Sequence, residues 1–236
     1  MEMKRVILFL FIVLAGYSVN SQTLEDIVRQ NYHASGQEAF ANAKSIRITA
    51  RAYQGGMEIP MTISMKSPGK VRVEMSLQGM SIIQAYDGTR GYMINPMMGS
   101  SEPVELSASD ASTLKNQANF TSNLSDYLKN NRLEMAGEST INGNQAWKLK
   151  TTTETGDVLY VYIDKVSFLQ VKSDMSISQM GTEMNIEIYV SDYTDFSGLK
   201  FPKTTTTYAN GNEMAVIMVE KVETNLDLAD NLFTIK

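Results

Sequence analysis

Hydrophobic residues recur at every second position over much of this chain. The alternation is cleanest at Met57, Ile59, Met61, Ile63 and Met65, with Glu58, Pro60, Thr62 and Ser64 between them. A period of two sends successive side chains to opposite faces, so this segment reads as a strand with one apolar side. Pro60 lacks a ladder donor, which predicts an edge position or a bulge there. Ser67-Pro68-Gly69 turns the chain into a second strand carrying Val71, Val73, Met75 and Leu77 on its apolar face. Further strands are expected at 82–86 and 92–94 across the turn residues Asp87-Gly88. After Leu133 they return at 145–151, 158–163, 169–177, 184–190, 199–208 and 214–222. Asn210-Gly211 between the last two is a hairpin signal, because both turn positions need positive φ.

Helical patterning is confined to the start and the middle. Thr23 and Asp26 stand at capping-box spacing, and Leu24, Ile27, Val28 and Asn31 follow on one face, which predicts a helix ended by Gly36. A second short helix fits 37–43. Asn95-Pro96-Met97-Met98-Gly99 then opens a long stretch without strand patterning. In it Ser107 and Asp110 can cap a helix through Leu114, and Leu124, Tyr127 and Leu128 fit another.

About nine or ten amphipathic strands create an apolar face wider than these helices can cover, and uncovered patches above a few hundred Å² are rare in soluble monomers. The sheet must therefore curl over itself, with the helices plugging its open side. The predicted fold is mainly β (α+β): a large curved antiparallel sheet forming an open half-barrel, with an N-terminal helix and a short helical lid. The apolar strand faces would then line a cavity. Its expected walls are Met57, Ile59, Met61, Ile63, Met65, Val71, Val73, Met75, Met184, Ile186 and Ile188. The expected lid carries Met97, Met98, Leu114, Leu124, Tyr127 and Leu128. Methionine suits such walls, since its unbranched thioether repacks around guests of varied shape.

The first residues change the compartment. Lys4 and Arg5, an apolar run from Val6 to Gly16, and Val19-Asn20-Ser21 before Gln22 read as an export signal cleaved after residue 21. Eleven apolar residues fall short of the roughly 20 that span a bilayer. Residues 22–236 are expected to form one domain, soluble and periplasmic. The chain has no cysteine, hence no disulfide framework, no thiolate metal site and no cysteine for a bacterial lipid anchor. The net charge is −5, and loss of Lys4, Arg5 and Glu2, together +1, leaves −6. An acidic chain without a basic cluster cannot supply the phosphate neutralisation that nucleic-acid binding needs.

Common catalytic chemistry is missing. The single histidine, His33, falls near the end of the first helix with no sequence-level partner for a triad or zinc site. Asp192 and Asp195 precede Ser197-Gly198 and read as turn formers. No phosphate-binding glycine loop, nucleophile elbow or metalloprotease motif occurs. The chain reads as a non-enzyme with no catalytic residues, no cofactor and no metal.

Several phrases, in order, resemble the outer-membrane lipoprotein-sorting family of LolA, LolB and RseB-like periplasmic proteins. They are Tyr32-x-Ala34-x-Gly36-x-Glu38, Lys44-Ser45-Ile46, Lys66-Ser67-Pro68-Gly69-Lys70-Val71-Arg72, Tyr86-Asp87-Gly88-Thr89, and Tyr92 with Asn95-Pro96. Tyr162-Ile163-Asp164-Lys165, Asp192-Tyr193, Gly198-Leu199-Lys200-Phe201-Pro202, Asn225 and Leu232-Phe233 continue the series. The resemblance implies a helix-closed half-barrel carrying lipoprotein acyl chains from an inner-membrane transporter to an outer-membrane acceptor. One position departs: Ser67 stands where known carriers often have an arginine that latches the lid. The expected function is a periplasmic carrier or chaperone for lipoprotein acyl chains or similar lipid-like cargo. The alternative is an envelope sensor or scaffold of the same fold that binds a protein partner.

Overall fold

Thr23 starts the first helix as its spacing predicts. Its Oγ1 accepts a hydrogen bond from the Asp26 backbone at 3.1 Å, and α1 runs over Leu24–Ala34. Gly36, at φ +68°, turns the chain into α2, Gln37–Asn42. The computed structural model describes residues 22–117, 123–153, 156–179 and 182–235. The export signal expected over 1–21 lies outside them.

A first meander follows: β1 (Ser45–Gln54), β2 (Met57–Lys66), β3 (Lys70–Leu77), β4 (Met80–Tyr86), β5 (Gly91–Asn95) and β6 (Ser100–Glu105). Two helices then intervene, α3 (Ala108–Gln117) and α4 (Asn123–Lys129). A second meander comprises β7 (Leu133–Ile141), β8 (Asn144–Thr152), β9 (Val158–Asp164), β10 (Gln170–Gln179), β11 (Thr182–Phe196), β12 (Leu199–Ala209) and β13 (Asn212–Thr224). Pairing of β1 with β13 fuses the two into one antiparallel sheet, ordered β6-β5-β4-β3-β2-β1-β13-β12-β11-β10-β9-β8-β7. β6 and β7 remain as edges, so the sheet is not closed into a barrel. Register shifts at Thr49/Ala50, Gln170/Lys172 and Thr207/Tyr208 add the local twist that bends such a sheet.

The helices lie on one face of the sheet, and the strand alternation supplies what they cover. Ile46, Ile48, Met65, Val71, Val73 and Val222 pack with Phe40 of α2 and Leu114 of α3 in one cluster. Leu133, Leu149, Val161 and Ile163 pack with Ile27 and Val28 of α1 and Leu124 of α4 in another. This helix-covered inner face contrasts with an outer face laced by cross-strand polar pairs. There Lys172 is paired to Asp174 and Glu187, and the Tyr162 hydroxyl donates to Asp174 at 2.8 Å. Burial pushes the Tyr162 phenol up, and Asp174 adds to it. Burial opposes the Lys172 charge, but Glu187, Tyr189 and Asp174 outweigh it and hold the ammonium above the usual lysine range. The C-terminal turn, Asp230–Phe233, is held by Lys66, Lys70 and Arg72, and Phe233 is fully buried.

The structure departs from the sequence expectation in three places. Thirteen strands are present among the described residues, where nine or ten were expected. One of the additions, β6, lies in the stretch read as free of strands. As an edge strand it buries little, and its Val104 is 50% exposed, so no apolar alternation marks it. Pro60 lies in an interior strand, with no register shift beside it. Its missing N–H is tolerated because the β2–β3 ladder begins only at Met61↔Met75, leaving Pro60 on an overhang. Finally, β11 extends to Phe196 and contains Asp192 and Asp195. Asp195 still shapes the following turn, accepting from the Gly198 backbone at 2.8 Å.

Candidate functional site

Between the two inner-face clusters lies a cavity of about 620 Å³. Its apolar wall comes from Phe40 of α2, Ile48 of β1, Ile63 and Met65 of β2, Leu124 and Tyr127 of α4, Leu159 and Val161 of β9, Val190 of β11 and Phe201 of β12. The alternation makes this wall possible: Ile48 pairs with Ile63, and both point to the same side of the sheet. Phe40 and Phe201 pack at 6.0 Å between ring centroids, joining α2 to β12. The corner between α1 and α2 lies tightly on the β11–β12 turn. The Lys200 backbone donates to the Ser35 carbonyl at 3.2 Å, and a Cβ on Gly36 would sit 2.1 Å from the Gly198 oxygen.

The cavity also has a polar side, made by Asn31 and Ser35 of α1 and its cap, Gln37 of α2, Gln170 and Ser173 of β10, and Tyr193 of β11. Asn31 donates through Nδ2 to the Phe168 carbonyl at 2.8 Å, and the Tyr193 hydroxyl donates to the Gln170 carbonyl at 2.8 Å. Burial pushes the Tyr193 phenol up, so it stays neutral at physiological pH. The β10–β11 ladder stops at Lys172↔Tyr189 although β11 continues, so these polar groups occupy the place where the two strands part. Lys200 is the one charged residue in the lining and is exposed. Among the described residues, no group of three or more His, Asp or Glu is arranged to hold a metal ion, and His33 is exposed.

Of the strand residues expected to form the wall, Ile63 and Met65 line the cavity. Val71 and Val73 are buried in the adjoining cluster, and Met61 and Met75 pack against it. Met61 and Met75 also border a separate groove with Arg51, Glu58, Glu74 and Glu220. Ile59 is buried, whereas Met57 is 41% exposed at the start of β2. Met184, Ile186 and Ile188 are half-buried and share the inner face with Val190, which lines the cavity where they do not. In the expected lid, Leu124 and Tyr127 line the cavity and Leu128 packs beside them. Leu114 is buried in the other cluster, and Met97 and Met98 are exposed on a short turn. Ser67 is exposed. The sequence reading did not place Phe40, Ile48, Leu159, Val161, Val190 or Phe201 in the cavity wall. Their inward parity was readable, but their convergence depends on strand pairing.

No protein-family model matches the sequence, and no curated protein sequence does either. Solved structures do match over nearly the whole chain. A LolA superfamily protein from Nitrosomonas europaea superposes with a TM-score of 0.59 at 13% identity, over 91% of this chain and 98% of that one. A putative outer membrane lipoprotein-sorting protein domain from Vibrio parahaemolyticus gives 0.59 at 10% identity, over 88% and 97%. A DUF1329 family protein from Desulfovibrio piger gives 0.60 at 13% identity, over 88% and 97%. No helix among the described residues is long and apolar enough to cross a membrane. At these identities the likeness is one of fold, and the open antiparallel sheet with its helices over one face is the architecture expected from the sequence.

Proposed function

We propose that this chain is a non-enzymatic carrier or chaperone that holds the acyl chains of a lipoprotein, or similar lipid-like cargo, for delivery to the outer membrane. In this reading residues 1–21 direct export and are removed, and 22–236 act as one half-barrel unit in the periplasm. The observation that carries it is the apolar cavity of about 620 Å³ between sheet and helices. That size falls within the roughly 300–1,000 Å³ of small-molecule sites. Burying hydrocarbon there contributes about 0.8 kcal/mol per methylene, so a long chain is held without covalent chemistry. Transfer then requires an acceptor that competes for the chain, or movement of α4, whose Leu124 and Tyr127 form part of the wall. An inner-membrane transporter as donor and an outer-membrane protein as acceptor fit this scheme.

The test is native mass spectrometry of the protein purified from periplasm under non-denaturing conditions. Lipid or acylated peptide should appear as a mass increment that organic extraction removes. Protein that carries no such increment and takes up no apolar dye would overturn the proposal.

A further inference from the structure

The outer face of the sheet, turned away from the helices, carries a groove of about 500 Å³. Its floor is two cross-strand pairs of β11 and β12, Glu187 opposite Tyr208 and Tyr189 opposite Thr206. Tyr189 is also opposite Lys172, which is opposite Tyr162, so these side chains share the outer face. Asn142, at φ +49° in the β7–β8 turn, closes one side. That turn is held in place by its neighbour Ile141, buried with Ala146 and Tyr162 in a third cluster against which Tyr160, Val171 and Tyr189 pack. Thr206 and Tyr208 are half-buried and Asn142 is exposed. Among the described residues, no protein group hydrogen-bonds to the two hydroxyls or to the Asn142 amide, so all three can exchange water for a ligand.

We propose that this groove binds an uncharged saccharide, with one sugar ring stacked on Tyr208 and its hydroxyls bonded to Asn142, Thr206 and Glu187. A pyranose presents a face of C–H bonds and a rim of hydroxyls, and the groove has a match for each. The rings of Tyr189 and Tyr208 stand at 85° with centroids 5.7 Å apart, an aromatic corner whose electron-rich faces attract C–H groups. Sugar hydroxyls donate to Glu187 and accept from the Asn142 amide and the Thr206 hydroxyl. The size falls within the roughly 300–1,000 Å³ of small-molecule sites. Charge argues against other ligands. Glu187 is the one charged residue in the lining and Lys172 pairs with it, so an anion finds no cation there. An ammonium ligand finds its place taken, because the Lys172 ammonium lies 5.1 Å from the Tyr189 ring centroid and 5.4 Å from that of Tyr162. A hydrocarbon would strip water from Asn142, Thr206 and Tyr208 and return no hydrogen bond. The groove and the acyl cavity lie on opposite faces, so the saccharide site stands whether or not the carrier reading does.

The test is saturation-transfer NMR and titration calorimetry of the full mature protein with cellobiose and diacetylchitobiose. At least one should bind at millimolar concentration, with saturation strongest on the ring C–H protons of one face. Sorbitol, which has the hydroxyls without the ring, should not bind. Tyr208→Ala should weaken the disaccharide about tenfold, the worth of one stacked aromatic. Asn142→Gly keeps the turn, since glycine accepts positive φ, and should weaken it about fivefold through one net hydrogen bond. Amide spectra unchanged outside the groove check the fold of each variant, and if Tyr208→Ala does not fold, Asn142→Gly decides alone. Failure of both disaccharides to bind would overturn the proposal. So would sorbitol or choline binding as tightly as the sugars, or sugar binding that survives the substitutions, which would put the sugar elsewhere. Cellotetraose or tetraacetylchitotetraose binding more tightly than its disaccharide would support the site with a glycan chain as the source, and equal binding would support it with a free sugar.

Discussion

Replacing Ile63 by tryptophan separates a cavity wall from an ordinary core. Ile63 is half-buried on β2, packs against the first cluster and faces the cavity together with Met65 and Ile48. Tryptophan adds about six side-chain heavy atoms, and the open volume beside Ile63 can take them. If half of that bulk displaces ligand, about three methylenes lose their contacts, worth ~2 kcal/mol or about thirtyfold in affinity. Because the ring enters open space, the stability loss should stay under the roughly 1–3 kcal/mol of overpacking a filled core. Ile46→Ala is the counterpart. Ile46 is fully buried in the same cluster but lies outside the lining, so it should lose about 2–5 kcal/mol of stability with ligand affinity nearly unchanged. Apolar-dye titration and urea unfolding of both variants provide the comparison. If Ile63→Trp loses stability like a core residue and binds dye as well as the unaltered protein, the space beside Ile63 is not the binding cavity.

Three further predictions rest on separate parts of the molecule. Phe233→Ala should cost about 3–5 kcal/mol in urea unfolding, because this fully buried ring anchors the C-terminal turn, and dye affinity should not change. Gly36→Ala should cost about 3 kcal/mol and weaken dye binding too, since a Cβ at φ +68° would clash with the Gly198 oxygen and lift the helix corner off β12. Lys172, Tyr162 and Tyr193 all hold their protons more tightly when folded. Each therefore contributes stability that is complete below its unfolded value, about 10, and is lost as pH rises through the folded value. The melting temperature should fall from about pH 10 upward, less steeply in Tyr162→Phe, and a profile flat from about pH 9 to 11 would contradict this account.

Much of the sheet was legible because strand parity and turn chemistry are local. The alternation from Met57 to Met65, the Asn210-Gly211 hairpin and the Thr23 cap each depend on a few neighbouring residues, and each takes its expected form. β6 was illegible for the converse reason: an edge strand with little to bury need not alternate. The cavity is harder still. Val73 and Val161 obey the same period-two rule, yet one is packed inside a cluster and the other borders open space. Both exclude water, so hydrophobicity cannot tell them apart. What separates them is where neighbouring strands diverge. β10 shifts register at Gln170/Lys172, and its ladder with β11 ends at Lys172↔Tyr189, so the inner face opens beside Ser173 and Val190. Asn31 was read as a member of an apolar helix face, and it is indeed buried there, but its purpose on that face depends on the opening opposite. Beside a continuous ladder it would be a misplaced polar residue. Beside parted strands, with its Nδ2 holding the Phe168 carbonyl, it ties α1 to the segment before β10 and forms part of the cavity's polar side.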